Sequence, residues 1–314
     1  QKLDTFYFTS KLQICCDLYN DSTVVQLKKN KKELPLLLNE IMDYVATQQD
    51  LPPPLQIYYH ILMTLTAELP EPHYKALLHY VNVYEKQFEK QELQAMYVFA
   101  LNYVIRQAKI DRKYFEQLFN LYQILLEKGL LPPENSALSQ YDYKNIIQLS
   151  LSLGKFDFAE AFIHDYAPYL DEMVRDNAKN YNLACLVYKK KNFSKAMELL
   201  QTVEFTDAYY HADTKVLLFK TYYELNELLL LYNQIQTFKT YINRNKQISS
   251  PNKLVYNNFC KYISKLGQLK SKGYAAKNAI EKLRANIESN LQGTKNLNWF
   301  FEKLNELQKN RNYS

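Results

Sequence analysis

The sequence predicts an all-α protein: a single α-α superhelix of about seven antiparallel helix pairs stacked in series. Three observations lead there. Apolar residues recur at steps of three and four through most of the 314 residues, which is the period of a helix face. Glycine is scarce, with only Gly129, Gly154, Gly267, Gly273 and Gly293, and neither Asn-Gly nor Asp-Gly occurs. The tight hairpins of a sandwich or barrel therefore have no turns to use. All ten prolines stand where helices should begin or end, as a residue without an amide donor must.

Residues 1–135 read as diverged helix pairs. Ile57, Ile61, Leu62, Leu65 and Leu69 form one face of a helix that opens after the proline run Pro52 to Pro54. Past Pro70 and Pro72, Leu77, Leu78, Val81 and Tyr84 form the next. Tyr97, Ala100, Leu101, Val104 and Ile105 form a third, and Leu118, Phe119, Tyr122 and Leu125 a fourth. The chain opens at Gln1 in a helical pattern without an initiator methionine, which suggests a fragment of something longer. The 28 tyrosines suit half-buried positions, where the ring packs and the hydroxyl reaches water or a neighbouring helix.

Residues 136–250 carry an internal repeat. IQLSLSLGKFDFAEAFI from Ile147, ACLVYKKKNFSKAMELL from Ala184 and FKTYYELNELLLLYNQI from Phe219 align without gaps, starting 37 and 35 residues apart. In the second of these Ala184 opens the aligned stretch and Phe193 and Ala196 align with Phe156 and Ala159 of the first, where Gly154 marks the turn. Ser150, Lys191, Asn226 and Leu231 depart from that pattern.

This stretch resembles tetratricopeptide repeats, whose unit is about 34 residues. The whole text, including VEFTDAYYHADTKVLLFKTYYEL and GTKNLNWFFEKLNEL, is also similar to a group of uncharacterised bacterial helical-repeat proteins, which brings no activity with it. The tetratricopeptide resemblance implies a concave groove that holds a peptide or protein partner on the inner face of each first helix. Carried onto this sequence, the groove positions are Lys144, Gln148, Tyr181, Asn182, Tyr188, Lys189, Lys220 and Tyr223. Lys144, Gln148 and Asn182 imitate part of the family's clamp for a peptide carboxylate, while Asp213 and Leu217 stand where further cations would be needed.

Residues 251–314 form a basic helical region. From Tyr241 onward, 14 lysines and arginines face four acids, Glu281, Glu288, Glu302 and Glu306. That is a charge of +10 in a chain of net +6, leaving the body at −4. Lys261, Lys265, Lys270, Lys272, Lys277, Lys282 and Arg284 are spaced so that several could share a basic surface. Such a surface attracts nucleic acid, an acidic protein face or anionic lipid. It supports a second reading, a regulatory or nucleic-acid-associated module, although no nucleic-acid-binding motif accompanies it.

Nothing in the text equips an enzyme or calls for a cofactor or metal. The five histidines include no His-Glu-x-x-His, and no nucleophile elbow or glycine-rich phosphate loop occurs. A helical enzyme with a cleft assembled from distant helices is the third reading. Cys15, Cys16, Cys185 and Cys260 show no paired spacing, which points to a reducing, cytoplasmic setting. No run approaches the roughly 18 apolar residues of a membrane span. The expectation is a non-catalytic interaction scaffold, monomeric or weakly dimeric.

Overall fold

The computed structural model describes residues 2–24, 37–48, 50–204, 207–271 and 277–309, and of residues 21–24 and 277 the backbone alone. Among the described residues there are fifteen α-helices, four single-turn 3₁₀ helices and no strand. No described helix is long and apolar enough to cross a membrane. The helices gather into two compact units, 1–139 and 140–314.

The first unit holds α1 (Lys2–Val24), α2 (Leu38–Thr47), α3 (Pro53–Thr66), α4 (Pro70–Tyr84), α5 (Lys90–Ala108) and α6 (Phe115–Glu127). Each packs on its successor from α1 onward, and α3 also meets α1 and α5. Prolines open α3 and α4, where the first turn has amides to spare. Ile57, Tyr58, Ile61 and Leu62 of α3 are buried as their spacing predicts. Leu69 is instead 76% exposed, because α3 stops at Thr66 and the residue before Pro70 is kept out of helical geometry.

His60 of α3 and His73 of α4 meet with their Nδ1 atoms 3.0 Å apart. The Tyr80 ring stacks on His60. Burial first, and then the facing His73, lower the His60 pKa to about 4, and burial lowers His73 as well. Both rings are therefore neutral in the folded protein under conditions where the unfolded chain takes up protons. Stability is expected to be fully present above pH 6.5 and to fall as the pH drops from 6.5 towards 4, by about 1 kcal/mol per pH unit for each proton withheld. Thermal melts of the wild type and of His60→Phe across that window check this, the variant being the flatter of the two.

The second unit holds α7 (Gln140–Ser152) with α8 (Phe156–Tyr166), α9 (Glu172–Lys189) with α10 (Phe193–Gln201), and α11 (Ala208–Glu224) with α12 (Leu228–Arg244). It continues with α13 (Ser250–Ser271), α14 (Lys277–Glu288) and α15 (Leu297–Lys309). Consecutive helices pack as pairs. The first helices also touch in succession, α7 on α9, α9 on α11, α11 on α13 and α13 on α15.

The repeat seen in the text is a repeat of backbone geometry. Gly154, Lys191 and Asn226 have φ of 76°, 61° and 63°. At each, the following amide reaches back five residues: Lys155 N to Ser150 O at 2.9 Å, Asn192 N to Val187 O at 2.9 Å, Glu227 N to Tyr222 O at 2.8 Å. The left-handed residue itself donates to the carbonyl three residues back. This is the Schellman closure, in which two orphan carbonyls of the first helix are satisfied and the chain turns into the second. Lys191 holds its place against the strain of a Cβ at positive φ, which is why the missing glycine did not break the hairpin. Lys191→Gly is expected to stabilise the unit by about 1 kcal/mol and Gly154→Ala to destabilise it by a similar amount, since space around Gly154 is open and only the φ is at issue. Urea unfolding midpoints of the two variants should move in opposite directions.

Tyrosines go deeper than half-burial. Tyr58, Tyr74, Tyr103, Tyr143, Tyr210, Tyr222 and Tyr262 are fully enclosed. Their length lets the hydroxyl cross to the adjoining helix: Tyr143 Oη donates to Ile163 O at 2.7 Å and Tyr262 Oη to Asn286 O at 2.9 Å. All four cysteines are buried and none is in a disulfide.

Candidate functional site

Three first helices of the second unit turn one face each to a common cavity of about 340 Å³. From α7 come Lys144, Gln148, Leu151 and Ser152; from α9 Tyr181, Cys185, Tyr188 and Lys189; from α11 Asp213, Val216, Leu217 and Lys220. Counted from its first member, each set falls at i+4, i+7 and i+8 or at i+3, i+4 and i+7, the pattern that keeps side chains on one side of a helix. Lys295 and Asn296, just ahead of α15, close the remaining wall.

Six of the eight groove residues expected from the sequence therefore line one cavity: Lys144, Gln148, Tyr181, Tyr188, Lys189 and Lys220. Asn182 and Tyr223 do not. Asn182 sits one residue past Tyr181 on α9, inside the core with no exposed surface, and its amide donates to Ala178 O at 2.8 Å and reaches Tyr210 Oη at 3.4 Å. Tyr223 is covered by the chain's own C-terminal helices. The Trp299 ring of α15 meets it edge-on at 5.3 Å, and Lys270 of α13 lies 4.5 Å over its face and bonds to its carbonyl.

Two carboxylates organise the charge. Asp213 takes Lys144 Nζ at 2.6 Å, Lys295 Nζ, and the Tyr256 hydroxyl at 3.0 Å. Burial pushes its pKa up, but the ammonium groups of Lys295 and Lys144 outweigh that and hold the carboxyl below its usual range. Lys144 also lies over the Tyr210 ring at 4.5 Å. Glu224, at the end of α11, accepts from Trp299 Nε1 at 2.8 Å and Tyr188 Oη at 3.2 Å, and pairs with Lys303 Nζ at 3.1 Å. Lys303 is buried, yet its bonds to Glu306, Glu224 and Glu302 overcome desolvation and raise its pKa.

Lys220 is different. Among the described residues it touches no carboxylate at ion-pair distance; its ammonium lies 3.4 Å from Asn296 Oδ1, 4.8 Å from the centre of the Tyr188 ring and 5.5 Å from that of Trp299. Burial, and then the charge of Lys189, lower its pKa to about 8. Gln148 Nε2 is shielded from water with no hydrogen-bond partner beyond the weak thiol of Cys185, whose own pKa burial raises.

Lys295, Asn296 and Trp299 were missed by sequence reasoning, since they lie more than seventy residues from their partners on α11. No local pattern marks such contacts.

The expected basic surface is only partly a surface. Lys261 and Lys265 are exposed one turn apart on α13, and Lys282 is exposed on α14. Lys270 turns inward to Tyr223, and Arg284 is held by Asn305 Oδ1 at 2.7 Å and the Phe301 ring. Lys272 lies outside the described residues, and of Lys277 only the backbone is described. Among the described residues, no group of three or more histidine, cysteine or acidic side chains could hold a metal ion.

Compared with protein-family models, with curated proteins and with solved structures, the chain finds no match in any of the three.

Proposed function

We propose that this protein is a non-catalytic interaction scaffold, a superhelix of stacked helix pairs of tetratricopeptide type that seats a peptide or protein partner against the inner faces of α7, α9 and α11. One observation carries the reading: six positions chosen as groove-facing from the repeat converge from three helices on one cavity. A cavity of this size is at the small end for a ligand pocket, and suits an anchoring side chain better than a whole substrate. The four buried cysteines, none of them in a disulfide, agree with a reducing, cytoplasmic setting. The nucleic-acid reading draws less support, because Lys270 and Arg284 are engaged within the fold.

The test compares proteins captured by the wild type with those captured by Tyr188→Ala and Lys220→Glu, each checked for helicity by circular dichroism. Loss of specific partners from both folded variants is expected. Recovery of the same partners by both would remove the site. Capture that collapses steeply with salt would favour the nucleic-acid reading instead.

A further inference from the structure

We propose that the cavity between α7, α9, α11 and the segment ahead of α15 is a site for a dianionic phosphoryl group, carried by a phosphorylated side chain of the bound peptide. The phosphoryl chemistry is read from the cavity alone; the peptide as its bearer rests on the scaffold reading above.

Charge is the first consideration. Four ammonium groups, Lys144, Lys189, Lys220 and Lys295, line the cavity against one carboxylate, Asp213. Asp213 is already shared between Lys144 and Lys295. Two further acids lie near Lys220, but both are engaged: Glu224 Oε1 by Lys303, Trp299 and Tyr188, and Glu302 by Lys303 at 3.2 Å. Lys220 and Lys189 are thus left facing a cavity with an excess of positive charge. A monoanion would leave most of that excess in place, whereas a dianion removes the larger part.

Donor type is the second. The lining cations are all lysines, compact point charges that can meet a tetrahedral group from several sides, and a phosphoryl group offers them two charges where a carboxylate offers one. Gln148 Nε2 adds a neutral donor that is shielded from water and lacks a strong partner. Leaving such a donor and a partly buried lysine without an acid is costly for folding. Bound phosphate satisfies both at once.

The chain contains its own reporter. Trp299, the single tryptophan, has its ring centre 5.5 Å from Lys220 Nζ. O-phosphoserine, inorganic phosphate and succinate should be titrated at constant ionic strength while Trp299 emission is followed, and a short phosphoserine peptide run beside its unphosphorylated twin. A saturable change is expected with O-phosphoserine and with phosphate, and none with succinate. The phosphopeptide should bind at least tenfold tighter than O-phosphoserine if a peptide is the bearer. Free phosphoryl compounds binding as tightly as the peptide would overturn the bearer and leave the cavity chemistry standing.

Lys220→Met should abolish the change and raise the melting temperature, because a desolvated charge has been removed. Gln148→Leu should weaken binding about tenfold, the worth of one hydrogen bond to a charged group, while Lys261→Met on the outer face of α13 should leave it intact. An equal response to succinate, an unaltered response in Lys220→Met and Gln148→Leu, or no saturable response below about 10 mM, weaker than the millimolar affinity of a minimal site, would overturn the phosphoryl assignment. Partner capture that still depends on Tyr188 in that event would leave the scaffold reading intact.

Discussion

Replacing Asp213 with alanine is expected to cost the second unit about 3–5 kcal/mol, the penalty for stranding charges that have been taken out of water. Its carboxylate neutralises Lys144 of α7 and Lys295 ahead of α15 and accepts the Tyr256 hydroxyl of α13, so one side chain fastens three parts of the unit to α11. Without it, four lysines share the cavity with no acid in its lining. Urea unfolding followed through Trp299 emission should show a much lower midpoint; a loss below about 1 kcal/mol would mean the pairs behave as exposed ones do. The same carboxylate predicts an acid limb. Because its folded pKa lies below the usual value of 3.8, the stability it contributes is complete above pH 3.8 and is lost as the pH falls through the depressed folded value.

The second large effect concerns Lys303. Lys303→Met leaves Glu224 charged, nearly enclosed, and bonded, among the described residues, only to the neutral donors Trp299 Nε1 and Tyr188 Oη. A loss of about 3 kcal/mol is expected, as for other broken buried pairs. Adding Glu224→Gln should restore most of it, since an amide oxygen still accepts from Trp299 and no charge is left alone. The double-mutant cycle should give a coupling of at least about 1.5 kcal/mol. Additive losses would show that Lys303 acts through packing of its stem.

The contrast between these sites and the helices around them shows what the text could reveal. Helix faces were legible because period and burial agree: Ile57, Ile61 and Leu62 on α3, or Tyr97, Ala100 and Val104 on α5, are buried where their spacing puts them. Hairpin turns were legible as a repeat even where glycine was absent, since Lys191 and Asn226 adopt the same backbone as Gly154. Asn182 misled because a one-residue step on a helix is a rotation of about 100°, enough to carry its side chain from the cavity to the core. Tyr223 misled for another reason. Its exposure depends on α15, and the contacts of Trp299 with Glu224 and Tyr223 span 75 and 76 residues and leave no periodic trace. The histidine pair was hidden likewise, as thirteen residues separate His60 from His73 across a helix hairpin.

The late position of Lys295 in the chain has a temporal consequence. Asp213 leaves the ribosome 82 residues before the lysine that completes its pairing, a delay of roughly 4 to 16 seconds at ordinary elongation rates. During that interval α7, α9 and α11 can already stack, yet the pocket lacks its fourth side and Glu224 lacks both Lys303 and the Trp299 donor. The lining of the cavity is therefore completed only when the segment ahead of α15 folds back onto helices already in place.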